Sequence, residues 1–342
     1  DTLYFSANDG SRGHELWAHD TSNASTWQVA VISSGGSGSN PGEYMDAILV
    51  GDTLYFSAHD GYNGHELWAH QPSEITSLSS GSGGGSGSGS GGGSSSSSAF
   101  AYANNKMSVG SGHTCAILDN GDLKCWGWDG AGQLGDGGST NTNTNAPSST
   151  AIDLGTGRTA VAVSSGSVYT CAILDNGDMK CWGYGASGNL GDGGSNTNTN
   201  APSSTAINLG TGRTAVAMDA EEGHTCAILD NGDLKCWGSD RYGQLGDGGP
   251  IWTSGSPTDT NAPSSTAINL GTGRTAVAVS VGYFHTCAIL DNGDLKCWGR
   301  DVQGVLGDGS TQSSNLNAPP STAIDLGTGR TAVAVSAGYY HT

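Results

Sequence analysis

The stretch CAILDNGDLKCWG, residues 115–127, returns almost unchanged at Cys171, Cys226 and Cys287. Two short apolar runs, Thr114–Leu118 and Leu123–Trp126, flank Asp119-Asn120-Gly121-Asp122. This pattern predicts a β-hairpin. A three-residue loop, Asp119-Asn120-Gly121, with glycine in the left-handed position fits the turn. In that register Ile117 faces Leu123 and Cys115 stands opposite Cys125. A two-residue Asn-Gly turn would set Cys115 against Trp126 instead. The first register puts both thiols on one face, within bridging distance. The same count pairs Cys171 with Cys181, Cys226 with Cys236, and Cys287 with Cys297. All 8 cysteines are used. Four local disulfides are therefore expected, and with them an oxidising compartment. Metal binding is the weaker alternative, because no CxxC is present and each pair would need two further ligands. Each bridge closes a short loop, so its chain-entropy contribution is on the order of 2–3 kcal/mol.

The 342 residues include 58 glycines, and 31 acidic side chains face 12 basic ones, a net charge of -19. That balance argues against nucleic acid as a partner, since the phosphate backbone calls for basic patches. No apolar run is long enough to span a bilayer, so no membrane insertion is expected. A disulfide-bearing chain that opens within a repeat at Asp1 is expected to be a piece of a longer secreted protein, extracellular or at the cell surface.

Repeats organise the rest. The hairpins recur at spacings of 56, 55 and 61 residues. Each is followed by an element such as Gln133-Leu134-Gly135-Asp136-Gly137, a polar Asn/Thr/Pro loop, and two more short strands, Ala151–Leu154 and Thr159–Ser164 in the first case. The fold class expected is all-β: β-propeller blades of four antiparallel strands, with almost no helix. The segment Gly282 to Gly309, GYFHTCAILDNGDLKCWGRDVQGVLGDG, resembles a repeat of the regulator of chromosome condensation family. Its marks are His-Thr, Trp-Gly and a Gly-Gln-Leu-Gly element, here His113, Thr114, Trp126, Gly127, Gly132, Gln133, Leu134 and Gly135. The resemblance implies propeller blades over about residues 106–342, with four full hairpins and the start of a fifth at Gly338. Paired cysteines set the chain apart from the intracellular members and imply a secreted branch.

Residues 1–78 repeat differently. DTLYFSANDGSRGHELWAHD (1–20) returns as DTLYFSAHDGYNGHELWAHQ (52–71). These are similar to ELWxxDGT-type repeats, also thought to form propeller blades, though Asp20-Thr21-Ser22 and Gln71-Pro72-Ser73 depart from the motif's end. Residues 79–105 read as a Gly/Ser-rich linker between the two repeat types. The 79–98 tract, SSGSGGGSGSGSGGGSSSSS, is a flexible spacer reaching roughly 25 Å.

Several residues invite sharper readings. His113, His224, His285 and His341 precede the cysteine strand, but Tyr169 stands at that place in the second repeat, so a structural role is expected. Trp126, Trp182, Trp237 and Trp298 are expected to wedge between blades. Lys124, Lys180, Lys235 and Lys296 lie on the pleat opposite the cysteines and are expected to hold solvated tips. The Asp-Asn-Gly-Asp turns and Gly-Asp-Gly elements offer oxygens to calcium, but no calcium-loop spacing is present. No cofactor is expected, calcium being the weaker alternative. Asn23 heads an N-glycosylation sequon, and the Ser/Thr/Pro loops could carry O-linked sugars.

No catalytic motif appears, so the chain is read as not an enzyme. What varies on the fixed scaffold is where partners bind: Trp128, Tyr184, Arg241, Tyr242 and Arg300 after Trp-Gly, and Trp252 in the insertion 250–259. The expected function is an extracellular structural protein of propeller modules, a subunit of a surface fibre, hair or matrix. The alternative is a secreted protein-binding propeller, an inhibitor or adhesin. Open sheet edges need covering, so self-association or contact with other extracellular proteins is expected, near 79–98 and the Asn/Thr/Pro loops, with glycans as further candidates.

Overall fold

The computed structural model describes residues 106–138, 144–194, 197–251, 259–302, 304–309 and 315–342 in full, and the backbone of six strands within 1–70. The linker, Asn23 and Trp252 lie outside the described residues. The chain divides into two compact units, Asp1–Glu43 with Ala47–Ala101, and Tyr44–Asp46 with Tyr102–Thr342. The first holds two three-stranded antiparallel sheets. One is β1 (Thr2–Asn8), β2 (His14–Asp20) and β3 (Ser25–Ala30); the other is β4 (Ile48–Val50), β5 (Thr53–His59) and β6 (His65–His70). The repeated words pair alike: Phe5 stands opposite Trp17, and Phe56 opposite Trp68.

The second unit holds four sheets: β7 (Met107–Val109), β8 (His113–Ile117) and β9 (Leu123–Gly127); β10 (Ala160–Ser165), β11 (Tyr169–Leu174) and β12 (Met179–Gly183); β13 (Ala215–Glu221), β14 (His224–Leu229) and β15 (Leu234–Gly238); β16 (Ala276–Val281), β17 (His285–Leu290) and β18 (Leu295–Gly299). No helix occurs among the described residues, so none is long and apolar enough to cross a membrane.

Each hairpin has the three-residue turn. The Gly121 N–H donates to the Leu118 carbonyl at 3.0 Å, with Gly121 at φ +84°. Cys115 stands opposite Cys125 and Ile117 opposite Leu123. The sulfurs are joined at Cys115–Cys125, Cys171–Cys181, Cys226–Cys236 and Cys287–Cys297, and none of the 8 cysteines is free. Alkylation of the folded or denatured chain without reductant should label no cysteine; full labelling after reduction is the control.

The sheets have three strands rather than four. Beside the last strand of each hairpin, the polar loop contributes only a single bridge, Gly127 to Thr144, repeated at Gly183–Thr199, Gly238–Thr260 and Gly299–Leu316. Proline stands three residues beyond each bridge, at Pro147, Pro202, Pro263 and Pro319, and has no N–H to extend a ladder. The fourth strand, expected at Ala151–Leu154, does not form. One bond, from the Ile152 N–H to the Leu123 carbonyl at 2.9 Å, lays it along the hairpin, with Ile152 and Leu154 buried. The strand at Ala160–Ser165 pairs with the next hairpin, not the preceding one.

Sheets pack face to face. The cysteine face of the first sheet (Cys115, Ile117, Leu123, Cys125) shares a core with Ala172, Leu174 and Trp182 of the second. The other face of the second (Cys171, Ile173, Met179) meets Ala227, Leu229 and Trp237 of the third. β11, β14 and β17 are thus buried along their whole length, while β8 alternates. A sheet covered on both sides has no solvent face for a lysine. Lys180, Lys235 and Lys296 are accordingly buried, not solvated, and donate to the carbonyls of Leu154, Leu209 and Leu270 at 3.0 Å. The ammonium is satisfied by backbone oxygens of the connection flanking the preceding hairpin, which ties adjacent sheets. Lys124 reaches the carbonyls of Ser148 and Ser149.

Candidate functional site

The joints between sheets account for most of the repeated polar residues. The Gln133 carbonyl accepts from the Thr170 hydroxyl at 2.9 Å and the Trp182 indole at 3.1 Å, both in the next sheet. Asn189 and Gln244 repeat this with Thr225 and Trp237, and with Thr286 and Trp298. His113 Nε2 lies 2.8 Å from the Thr170 hydroxyl oxygen. That hydroxyl spends its proton on Gln133, so the histidine donates from Nε2 and its Nδ1 carries no proton. His224 and His285 repeat the contact with Thr286 and Thr342. Tyr169, where the repeat lacks histidine, reaches further and donates to the His224 carbonyl at 2.7 Å. These residues are framework.

Burial lowers the pKa of His113 and His285 to about 4 and that of His224 to about 3. The unfolded chain therefore takes up a proton near pH 6.5, before the folded one does. The contribution of neutral His224 to stability is complete above pH 6.5 and is lost as pH falls toward 3. The stability difference between wild type and His224→Gln should be largest at pH 7–8. It should narrow toward pH 4 by up to about 1.4 kcal/mol per pH unit. Denaturant unfolding across that range measures it.

A second joint runs along the first strand of each sheet. The Ser108 hydroxyl accepts from the Ser165 N–H, Ser164 from Ala220 and Ser280 from Ala337. At the third such position Asp219 replaces serine. Its carboxylate accepts from the Ala220 and Val281 N–H groups and the Ser164 and Ser280 hydroxyls. Burial pushes its pKa above the ordinary carboxylate range, and the four bonds oppose that rise.

The calcium alternative meets occupied oxygens. Asp122 accepts from the Asn120 side chain at 2.9 Å, and Asp136 from the Gly138 N–H at 2.8 Å. Asp175, Asp230 and Asp291 of the later turns pair with Arg158, Arg213 and Arg274 at 3.1–3.3 Å. Among the described residues no three His, Cys, Asp or Glu side chains converge as metal ligands.

The variable residues lie at the other end of the hairpins, at their open mouths. Backbone bonds fix them there: the N–H groups of Trp128, Tyr184, Ser239 and Arg300 donate to the carbonyls of Gly112, Val168, Gly223 and Phe284 at 2.7–3.0 Å. Trp128 is 42% exposed and Tyr184 38%. Each stands at its own mouth. The structure brings Arg241, Tyr242 and Arg300 together. The Arg300 guanidinium carbon lies over the Tyr242 ring at 4.8 Å, Phe284 at 5.3 Å and Tyr340 at 5.6 Å. Arg241 lies 5.6 Å from the Tyr242 ring. Tyr242 meets Phe284 edge-on at 4.8 Å, and Tyr283 packs on Phe284 at 4.2 Å and on Tyr339 at 3.9 Å. Burial, then hydrogen bonds with Tyr339 and Glu222, push the Tyr283 phenol well above its ordinary pKa. Sequence reasoning missed Tyr283, Phe284, Tyr339 and Tyr340. Their signal was available: the two residues before His-Thr are aromatic only at 283–284 and 339–340.

Four segments, residues 105–133, 160–189, 222–244 and 276–305, match the Regulator of chromosome condensation (RCC1) repeat. The Ultraviolet-B receptor UVR8 of Arabidopsis thaliana is 27% identical over 237 residues, 69% of this chain and 49% of the receptor. The E3 ubiquitin-protein ligase HERC2 of Mus musculus is 29% identical over 205 residues, 60% of this chain and 4% of the ligase. The chain therefore spans about half of one relative and a small part of the other. Among solved structures, human WBSCR16 aligns at a TM-score of 0.59 with 16% identity, covering 99% of this chain and 82% of that one. Prp20p of Saccharomyces cerevisiae aligns at 0.56 with 16% identity, covering 98% and 78%. The segments 160–189 and 276–305 begin where β10 and β16 begin, so the repeat and the sheet share one frame. Each of the four cysteine hairpins thus lies within a segment that matches the regulator of chromosome condensation repeat, in an all-β fold like that of the solved propeller structures it aligns with.

Proposed function

We propose that residues 106–342 form a non-catalytic, protein-binding propeller module that works outside the reducing cytosol, in a secreted or cell-surface protein. The observation that carries this reading is the contrast within each repeat. Turn, disulfide, tryptophan and joint are repeated, while the hairpin mouths change residue by residue and collect aromatic and cationic side chains in one cluster. A rigid frame with varied loops is how a scaffold presents a binding surface. Four disulfides in the repeats support the compartment. Prp20p, which shares the fold, has binding properties toward Gsp1p and histones. That supports proteins as the class of ligand and leaves this chain's own partner open. The fibre-subunit reading rests on near-identical repeats, two repeat types and residues 79–98; the last lie outside the described residues, and no observation favours it over a binding module.

The test is site-specific photo-crosslinking in native extracellular fluid or cell-surface extract. A crosslinker at Tyr340 on the mouth face should capture discrete protein adducts, and one at Asn231 on the turn end should not. Equal capture from both ends, or capture of the chain by itself alone in long ladders, would overturn the binding-module reading.

A further inference from the structure

We propose that Arg300 is the anchor of the mouth face, and that it takes a carboxylate side chain of a partner protein, flanked in the partner by apolar residues. This rests on the binding-module reading and names the chemistry of its ligand. Of the ten other described lysines and arginines, eight are held by acids or carbonyls, Arg241 lies beside the Tyr242 ring, and Arg330 is exposed. Arg158, Arg213 and Arg274 are paired to turn aspartates. Lys106, Lys124, Lys180, Lys235 and Lys296 all donate to backbone carbonyls. Among the described residues, the side chain of Arg300 makes no hydrogen bond and no ion pair. What holds it is the faces of three rings, Tyr242, Phe284 and Tyr340, contributed by three successive repeats. Rings satisfy the flat faces of a guanidinium and leave its in-plane N–H donors unspent.

A fork held in place with its donors unspent is the geometry that a carboxylate meets with two parallel bonds. Little side-chain freedom remains to be lost on binding, because packing against the rings has already restricted it. Tyr340 and Tyr339, 41% and 37% exposed, border the fork and offer apolar area to the residues beside the acid. Charge decides between a lone acid and a polyanion. The chain carries a net -19, and Glu222 bonds to Tyr283 at the rim of the cluster. A sulfated glycan or an acidic run would meet that field at every step, whereas a single carboxylate between apolar neighbours meets it once.

The probe is the capped tripeptide acetyl-Leu-Glu-Leu-amide, titrated against the intact, oxidised chain while the tyrosine and phenylalanine ring resonances are followed by NMR. Its amide counterpart acetyl-Leu-Gln-Leu-amide is run beside it. The glutamate peptide is expected to shift the rings of Phe284 and Tyr340 and to bind at least about tenfold more tightly than the glutamine peptide. Arg300→Lys should weaken it about fivefold to tenfold, keeping the charge but losing the fork. Arg300→Gln should erase the preference for the acid. Intact disulfides and an unchanged His224 ring resonance show that each variant is folded. Equal binding of the two peptides, an unaffected Arg300→Gln variant, or binding of a neutral or sulfated oligosaccharide in place of the peptide would each overturn the proposal. If Tyr340 crosslinks to proteins as before in the Arg300→Gln chain, the binding-module reading stands and only the carboxylate anchor fails.

Discussion

Replacing Trp237 by alanine should destabilise the repeat unit by about 3–5 kcal/mol, the range for removing a fully buried aromatic side chain from a core. Its relative exposure is 0%, and it fills the layer between the second and third sheets beside Cys171, Ile173 and Met179. Its indole also donates to the Asn189 carbonyl at 3.0 Å. The chain contains its own control. Trp126 is the same residue in the first sheet, yet it is only partly buried and donates to no carbonyl among the described residues. Trp126→Ala should therefore cost about 1–2 kcal/mol, by the smaller area returned to water. Urea unfolding of both variants with disulfides intact provides the comparison. Equal losses would mean that the tryptophans stabilise their own sheets, and that the joint between sheets adds nothing.

The second large effect separates backbone strain from lack of space. Gly191 and Gly193 both sit at φ +69°. A Cβ on Gly193 would meet nothing within 4 Å, whereas one on Gly191 would lie 2.3 Å from the Trp237 indole nitrogen. Alanine at either site carries the left-handed penalty, about 1–2 kcal/mol. Gly191→Ala must also push the indole from its pocket, adding overpacking of about 1–3 kcal/mol, and it weakens the bond to Asn189. We expect about 1 kcal/mol for Gly193→Ala and about 3–5 kcal/mol for Gly191→Ala. Thermal unfolding of the two variants checks the difference. Similar values would show that the glycine of the Gly-x-Leu-Gly element is required only for its backbone angle.

The surface ion pairs offer no effect of this size. Arg158, Arg213 and Arg274 and their aspartates are about a third exposed, and pairs of that kind contribute about 0–1 kcal/mol. Their repetition reflects turn geometry shared by successive repeats more than stability.

Within each hairpin, the sequence by itself determined the turn, the register and the partner of every cysteine. These depend on a few neighbouring residues: Gly121 at a left-handed position, and an equal count of three residues on either side of the Asp119-Asn120-Gly121 loop, which returns Cys115 to Cys125. The all-β class followed from the same local pattern, and three of the four tryptophans, Trp182, Trp237 and Trp298, wedge between sheets as expected, while Trp126 is only partly buried. Only the tertiary structure decided what happens between repeats. Lys180 reads as a solvated residue on the outer pleat of a hairpin, and it would be one in a lone sheet. It is buried because the neighbouring sheet covers that pleat and a connection offers the Leu154 carbonyl. The strand expected at Ala151–Leu154 shrank to one bond with Leu123, and the strand at Ala160–Ser165 joined the hairpin after it. Sequence order does not say which neighbour a strand will choose. Arg300 and Tyr242 could be picked out as variable residues, but their meeting with Phe284 and Tyr340 joins residues far apart in the chain. The physical reason is the range of the forces: turn chemistry acts over a few residues of chain, whereas burial and ring contacts are settled by whichever sheet comes to lie alongside.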